Sequence, residues 1–196
     1  MYEESKLYND AKIVRTDFSY DPKELVKQYK DIRKRLHSGA WYQKSQTCLQ
    51  YSPQCHDKWT EGCGSIKRAE GRTEKDFHIL NLIYKGTIFE QIITDMNAVR
   101  SRFMVKPKHT CYSIHSDRTG RFHLPISTHE HALFVFYEGN ISTTLHIPAD
   151  GHVYWTDTTR PHTFLNAGPE RTHLVMCSSD ASVSYTHLTL PTNREV

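Results

Sequence analysis

The chain has 196 residues, 37% hydrophobic and 24% charged, with a formal net charge of +3 and a mean hydropathy of -0.64. That length suits one domain with a sizeable core. The charge is too small to argue for a nucleic-acid partner, and no apolar run is long enough to span a bilayer, so neither a nucleic acid nor a membrane is expected.

Residues 1–20 read as a leading segment with some strand character. The start, Met1-Tyr-Glu-Glu-Ser-Lys6, lacks the basic-then-apolar pattern of a signal peptide. Five cysteines without such a signal suggest reduced thiols and a cytoplasmic location. Asp21-Pro22-Lys23-Glu24 predicts a helix start. Asp21 can cap, Pro22 suits the first helical position, and Glu24 stands at capping-box spacing; the helix should run to about Leu36. Trp41 to Tyr51 reads as a strand and Ser52 to Gly64 as a long loop, which either carries substrate contacts or is a surface connection anchored by aromatics. Cys48, Cys55, His56 and Cys63 are close enough to raise a zinc site, but their spacing fits none of the common zinc patterns, so small apolar residues are expected instead. Thr87-Ile-Phe-Glu90 repeats the capping-box spacing, and Ile88, Phe89, Ile92, Ile93 and Met96 recur near helical period.

From Arg100 onward the pattern changes. Strand-like runs at 101–106, 111–116, 121–127, 132–137, 140–146, 150–156, 162–167 and 170–178 are separated by turn signals such as Glu138-Gly139-Asn140 and Asp150-Gly151. Short strands at near-regular spacing predict a mainly β fold, a sandwich or barrel of the jelly-roll class, with the two helices before it.

Candidate chemistry concentrates in His115-Ser-Asp-Arg-Thr-Gly-Arg-Phe-His-Leu-Pro125 and around His162. Residues two apart on an extended strand share a face, so His115 and Asp117 would leave the backbone side by side. Two histidines and one carboxylate make the facial triad that holds a non-haem Fe(II) with open positions, and His162, between two strand-like runs, is the candidate third ligand. Arg121-Phe-His123 and Arg171-Thr-His173 repeat the two-residue spacing on other strands. A core strand needs none of these groups, because buried charges destabilise unless paired. The competing explanation is a solvent-facing sheet decorated with polar residues. His129-Glu-His131 has the spacing of a cupin metal pair, but no glutamate follows at short distance, so both are expected in a loop or at an edge.

The run His115-x-Asp117-x-x-x-Arg121-x-His123-Leu-Pro-Ile, then Gly151-His-Val-Tyr-Trp155-x-Asp157-Thr, His162-x-x-x-Asn166 and Arg171-Thr-His-Leu-Val175, resembles the aspartyl/asparaginyl β-hydroxylase family over roughly residues 100–178. The resemblance implies a double-stranded β-helix, cupin-like, holding Fe(II) on His115, Asp117 and His162. It implies 2-oxoglutarate as cosubstrate, O2 as oxidant, and hydroxylation coupled to release of succinate and CO2. Arg171 would take the distal carboxylate of 2-oxoglutarate through a guanidinium fork. Arg121 and His123 match family positions near the proximal carboxylate, and Asn166, Ser113 and Trp155 are second-rank positions. Met104 departs from the family pattern where a hydroxyl can help bind the cosubstrate. The implied substrate is an amino acid, a peptidyl Asp or Asn, or a similar small molecule. A metal-dependent cupin enzyme without 2-oxoglutarate and a non-catalytic binding jelly roll remain open. No expectation arises for oligomeric state.

Val183-Ser-Tyr-Thr-His-Leu-Thr-Leu-Pro-Thr192 resembles the translation of a transposon-end adapter used in DNA library preparation. Residues 183–196 are therefore expected to be non-native, and residues 1–182 to form one oxygenase domain: a helical and mixed part over 1–99, then the β-helix.

Overall fold

The computed structural model describes residues 11–36, 45–66 and 71–179. The first ten residues of the leading segment, Trp41 and Tyr42 of the expected strand, and the adapter-like tail lie outside the described residues.

Helix α1 (Pro22–Arg35) starts where the sequence places it: the Asp21 carboxylate accepts the Lys23 backbone N–H at 2.8 Å. Glu24 does not close a box; its carboxylate accepts instead from Gln28 and Lys27 along the helix. Helix α2 (Ile88–Asp95) is capped by Thr87, whose hydroxyl accepts the Phe89 N–H, while Glu90 reaches one residue further back to the Gly86 N–H.

The strands are β1 (Ile13–Ser19), β2 (Gln46–Cys48), β3 (Gln50–Tyr51), β4 (Ile79–Leu80), β5 (Ala98–Lys106), β6 (Thr110–Cys111), β7 (Arg121–Ser127), β8 (Ala132–Glu138), β9 (Ile141–His146), β10 (His152–Thr156), β11 (His162–Asn166) and β12 (Arg171–Ser178). A six-stranded sheet has the order β1-β10-β7-β12-β5-β2, and a four-stranded sheet the order β6-β11-β8-β9. Along the chain, β5 to β12 alternate between the two sheets apart from the β8–β9 hairpin, and all their pairings are antiparallel. This is the double-stranded β-helix, a jelly roll with the helices on one flank.

Period two decides what each strand offers to each side. On the six-stranded sheet, Phe103, Phe122, Leu124, Ile126, Val153, Trp155, Leu174 and Met176 join Leu25, Tyr29, Ile32, Phe89 and Ile92 of the helices in one buried cluster. The alternate positions, Arg102, Met104, Arg121, His123, Arg171 and Val175, line the cavity between the sheets. A second cluster of Phe134, Phe136, Ile147, Tyr154 and Phe164 fills the rest of that interior. Phe103 is the anchor for the helical flank, with Tyr29 at 4.8 Å, Phe89 at 5.0 Å and Tyr84 at 6.0 Å between ring centroids, all edge-on. Phe103→Ala should destabilise by about 3–5 kcal/mol in urea denaturation. A cost below about 1 kcal/mol would show that the helices do not depend on this ring.

Two expected strands differ from the structure. The 41–51 run divides after Cys48, because Arg100 adopts φ 51 and kinks β5. Gln50 turns aside to pair with Leu80, and its side chain bridges Ala98 and Ser101. The 111–116 run keeps only Thr110–Cys111 as a ladder and rejoins β11 at a single bridge, His115 to His162. Between them the Ser113 carbonyl is taken by the His115 imidazole rather than by a neighbouring strand.

Candidate metal centre

His115 and His162 exchange both backbone hydrogen bonds at 2.9 Å, and the Asp117 N–H continues the pattern to the Thr158 carbonyl at 2.7 Å. Alternate residues of this extended segment therefore face the same way. The result is a cluster of His115, Asp117 and His162 whose ligating atoms all lie within 4.8 Å of one another, and it is the one such group among the described residues. His115 is exposed, Asp117 half-buried and His162 buried, so the cluster sits at a mouth rather than in the core.

Both imidazoles are held for ligation. His115 Nδ1–H donates to the Ser113 carbonyl at 2.8 Å, and His162 Nδ1–H donates to the Arg160 carbonyl at 2.9 Å. Each bond places the proton on Nδ1 and leaves Nε2 with its lone pair, the form a metal requires. Burial lowers the pKa of His162 below its usual value, which keeps the ring neutral near pH 7. Behind Asp117 stands Arg121, with Nη2 3.6 Å from the carboxylate and 2.6 Å from Glu74. Gly120 makes this turn possible: a Cβ there would lie 2.6 Å from the Trp155 indole nitrogen. Trp155 thus packs beneath the turn with the helical flank and supports the site from outside. The donor set, two imidazoles and one carboxylate, suits a divalent first-row metal with open positions.

The cluster opens into a cavity of about 410 Å³ between the two sheets. Five arginines line it, Arg100, Arg102, Arg118, Arg121 and Arg171, against two carboxylates, Glu74 and Asp117. Glu74 is shared by Arg100 and Arg121. Arg171 is 2% exposed; its Nε and Nη1 have no hydrogen-bond partner, and its guanidinium lies over the Phe164 ring at 3.7 Å. Burial pushes its pKa down to about 9. Arg102 is also buried, with Nε unpartnered and Nη1 donating only to the Arg100 carbonyl at 3.2 Å. An unpaired buried cation is costly, and an anion in this interior would offset that cost.

The six residues expected to hold the metal or the cosubstrate, His115, Asp117, Arg121, His123, His162 and Arg171, all line this one cavity, as does Ser113, whereas His173 and Trp155 do not. Met104 also lines it and offers no hydroxyl, whereas Tyr112 of the opposite sheet does. Asn166 instead ties the far end together, donating to the carbonyls of Lys106, Pro107 and Pro169. His129 lies in the β7–β8 turn and donates to Asn166 Oδ1, while His131 is exposed beside Glu130. Glu74, Arg100 and Arg102 were not singled out by motif. The alternation of cations at Arg100, Arg102 and Lys106, all buried, was the signal that could have found the two arginines.

His123 and His173 meet Nδ1 to Nδ1 at 3.4 Å, both buried, each with Nε2 unpartnered. Burial, reinforced by the charge of Arg171, holds both pKa values well below 6.5. The unfolded chain therefore takes up these protons first as pH falls, and stability is lost below about pH 6.5, by up to about 1.4 kcal/mol per pH unit for each ring. Urea midpoints at pH 7.5 and 5.5 should show this drop, and His173→Gln should reduce it. A slope unchanged by that substitution would contradict the assignment.

The fold is similar to that of a prolyl-4-hydroxylase from Pseudomonas putida, with a TM-score of 0.51 at 13% sequence identity over 88% of this chain and 96% of that one. It is also similar to apo HygX from Streptomyces hygroscopicus, with a TM-score of 0.51 at 8% identity over 90% of this chain and 85% of that one. Similarity to a 2OG-Fe(II) oxygenase-family oxidoreductase from Burkholderia pseudomallei is partial, with a TM-score of 0.35 and 21% identity over 43% of this chain and 44% of that one. The chain thus spans less than half the length of that protein. No protein-family model matches the sequence, and no curated protein matches it. At such identities the likeness establishes the double-stranded β-helix; the chemistry must be argued from the site. No helix among the described residues is long and apolar enough to cross a membrane.

Proposed function

We propose that the protein is an Fe(II)- and 2-oxoglutarate-dependent oxygenase, of the aspartyl/asparaginyl β-hydroxylase type, acting in the cytoplasm on an amino acid, a peptidyl Asp or Asn, or a similar small substrate. The observation that carries this reading is Arg171, a buried guanidinium without a counter-ion among the described residues, in a cavity that also opens on a His-Asp-His cluster. A hydrolytic metal site would need the cluster but not an unpaired cation in the barrel interior. A two-carboxylate cosubstrate explains both.

His115, Asp117 and His162 would hold the iron, and their pinned imidazoles and backed carboxylate fit it. Iron, 2-oxoglutarate and O2 supply the oxidising power, with succinate and CO2 as by-products. Arg171 takes the distal carboxylate through two charge-assisted hydrogen bonds, and the Tyr112 hydroxyl provides the donor that Met104 lacks. Arg121 serves chiefly by orienting Asp117, since Glu74 already occupies its Nη2. In the tautomer where His173 donates to His123, the His123 proton would sit on Nε2, a free donor for the proximal carboxylate. The walls exclude water and hold the reacting groups in register. Arg102 and Arg118, both lining the cavity and without a carboxylate partner among the described residues, favour a substrate that is itself an acid.

Protein supplied with Fe(II), ascorbate and 2-oxoglutarate under air should release succinate, followed by proton NMR. The rate should rise with acidic amino acids or Asp-containing peptides more than with their amides. Absence of succinate from iron-loaded protein would favour a metal enzyme of the cupin type that does not use 2-oxoglutarate.

A further inference from the structure

Cys48 ends β2 and is almost fully buried; Cys63 lies in the following loop and is partly accessible. Their Sγ atoms are 3.5 Å apart. The loop reaches β2 this closely because residue 62 is glycine: a Cβ there would stand 3.0 Å from Cys48 Sγ and 3.1 Å from the Phe77 ring. Cys63 sits between two carbonyls, those of Gly62 and Gly64, that both accept from the Arg100 guanidinium. Arg100 pairs with Glu74, Glu74 with Arg121, and Arg121 approaches Asp117. The same loop continues into Gly64, Ser65 and Ile66, which form one wall of the cavity.

We propose that Cys48 and Cys63 are a modification site, a dithiol that hydrogen peroxide converts to a disulfide, tying the 62–66 wall of the cavity to β2. The chemistry balances in two steps. The Cys63 thiolate attacks one peroxide oxygen and breaks the O–O bond, giving a sulfenic acid and one water. The Cys48 sulfur then attacks the Cys63 sulfur, the S–O bond breaks, and a second water leaves with the remaining thiol hydrogen. Two thiols are oxidised and one peroxide is reduced to two waters. The Cys63 thiol pKa is lowered, first by the hydrogen bond with Cys48, then by the charges of Arg102 and Arg100 against the opposing effect of burial. That favours Cys63 as the attacking group. Closing the sulfurs to the bonded distance of about 2.05 Å asks for roughly 1.5 Å of travel. The Thr60–Gly64 segment has turn and bend structure rather than strand pairing to hold it back.

The test uses metal-free, fully reduced protein and stoichiometric peroxide, so that no iron-driven radical chemistry intervenes. Non-reducing peptide mapping should show the Cys48–Cys63 cross-link as the dominant product, reversed by dithiothreitol. Amide hydrogen exchange over residues 60–66 should slow by roughly tenfold in the oxidised form. Cys63→Ser, a change at the more accessible thiol, should give neither result; Cys48→Ala serves as the second variant. Cross-linking through Cys55 or Cys111 instead, over-oxidation of Cys63 without a cross-link, or a cross-link that leaves exchange in 60–66 unchanged would each overturn the proposal. None of these readouts depends on 2-oxoglutarate.

Discussion

Replacing Arg171 by methionine should weaken 2-oxoglutarate binding by about 30-fold or more while leaving the ligand-free protein at least as stable as the parent. The two effects share one cause. In the ligand-free protein, Arg171 is a guanidinium that is 2% exposed, with two nitrogens unpartnered and only the Phe164 ring beneath it. Such a charge has lost its hydration and gained no counter-ion among the described residues, and a well-packed apolar side chain of similar volume is often neutral or stabilising in its place. In the proposed complex with the cosubstrate, the same guanidinium would be one half of a buried charge pair. Truncating one partner of such a pair costs about 2–5 kcal/mol, a loss of affinity on the order of 30- to 5,000-fold. Isothermal titration with 2-oxoglutarate and a urea melt of Arg171→Met measure both halves. Retained affinity would remove Arg171 from the cosubstrate site. Lost affinity together with a large drop in stability would mean that the residue is mainly structural.

Asp117→Ala should weaken Fe(II) binding by more than about 100-fold, beyond the 10- to 100-fold typical of changes one layer out from the metal. Removing the carboxylate does more than delete a ligand. Arg121, 3.6 Å from that carboxylate, would then face the metal with Glu74 as its remaining counter-charge. Asp117 is only half-buried, so the fold should survive and the affinity change should be readable by anaerobic metal titration. Unchanged iron affinity would take Asp117 out of the cluster.

Local periodicity explains why much of this was legible in the sequence. His115 and Asp117 face the same way because extended backbone alternates, and the bonds from residues 115 and 117 to residues 162 and 158 keep that alternation where no regular strand exists. The same rule places Arg121 with His123, and Arg171 with His173, on the inner face of β7 and β12, opposite the apolar residues that meet the helices. What escaped has no local signature. Glu74 becomes the shared partner of Arg100 and Arg121 through contacts that span 26 and 47 positions, and Cys48 meets Cys63 across a loop whose path no spacing rule encodes. The expected strand over 111–116 breaks where the Thr163 hydroxyl, 51 positions away, takes the Tyr112 carbonyl and the His115 imidazole takes the Ser113 carbonyl. That exchange shortens the strand and fixes the tautomer of the candidate ligand. Arg100 is similar, since its left-handed backbone ends the pairing of β2 and aims its guanidinium at Glu74.

In the proposed enzyme one cavity would hold both a metal and an oxoacid. The most direct test is the visible absorbance of the anaerobic Fe(II)-loaded protein before and after 2-oxoglutarate is added. A new charge-transfer band that saturates with 2-oxoglutarate, and needs at least about 30-fold more of it in Arg171→Met, is the predicted result. Firm Fe(II) binding with no band at any concentration of 2-oxoglutarate would contradict it.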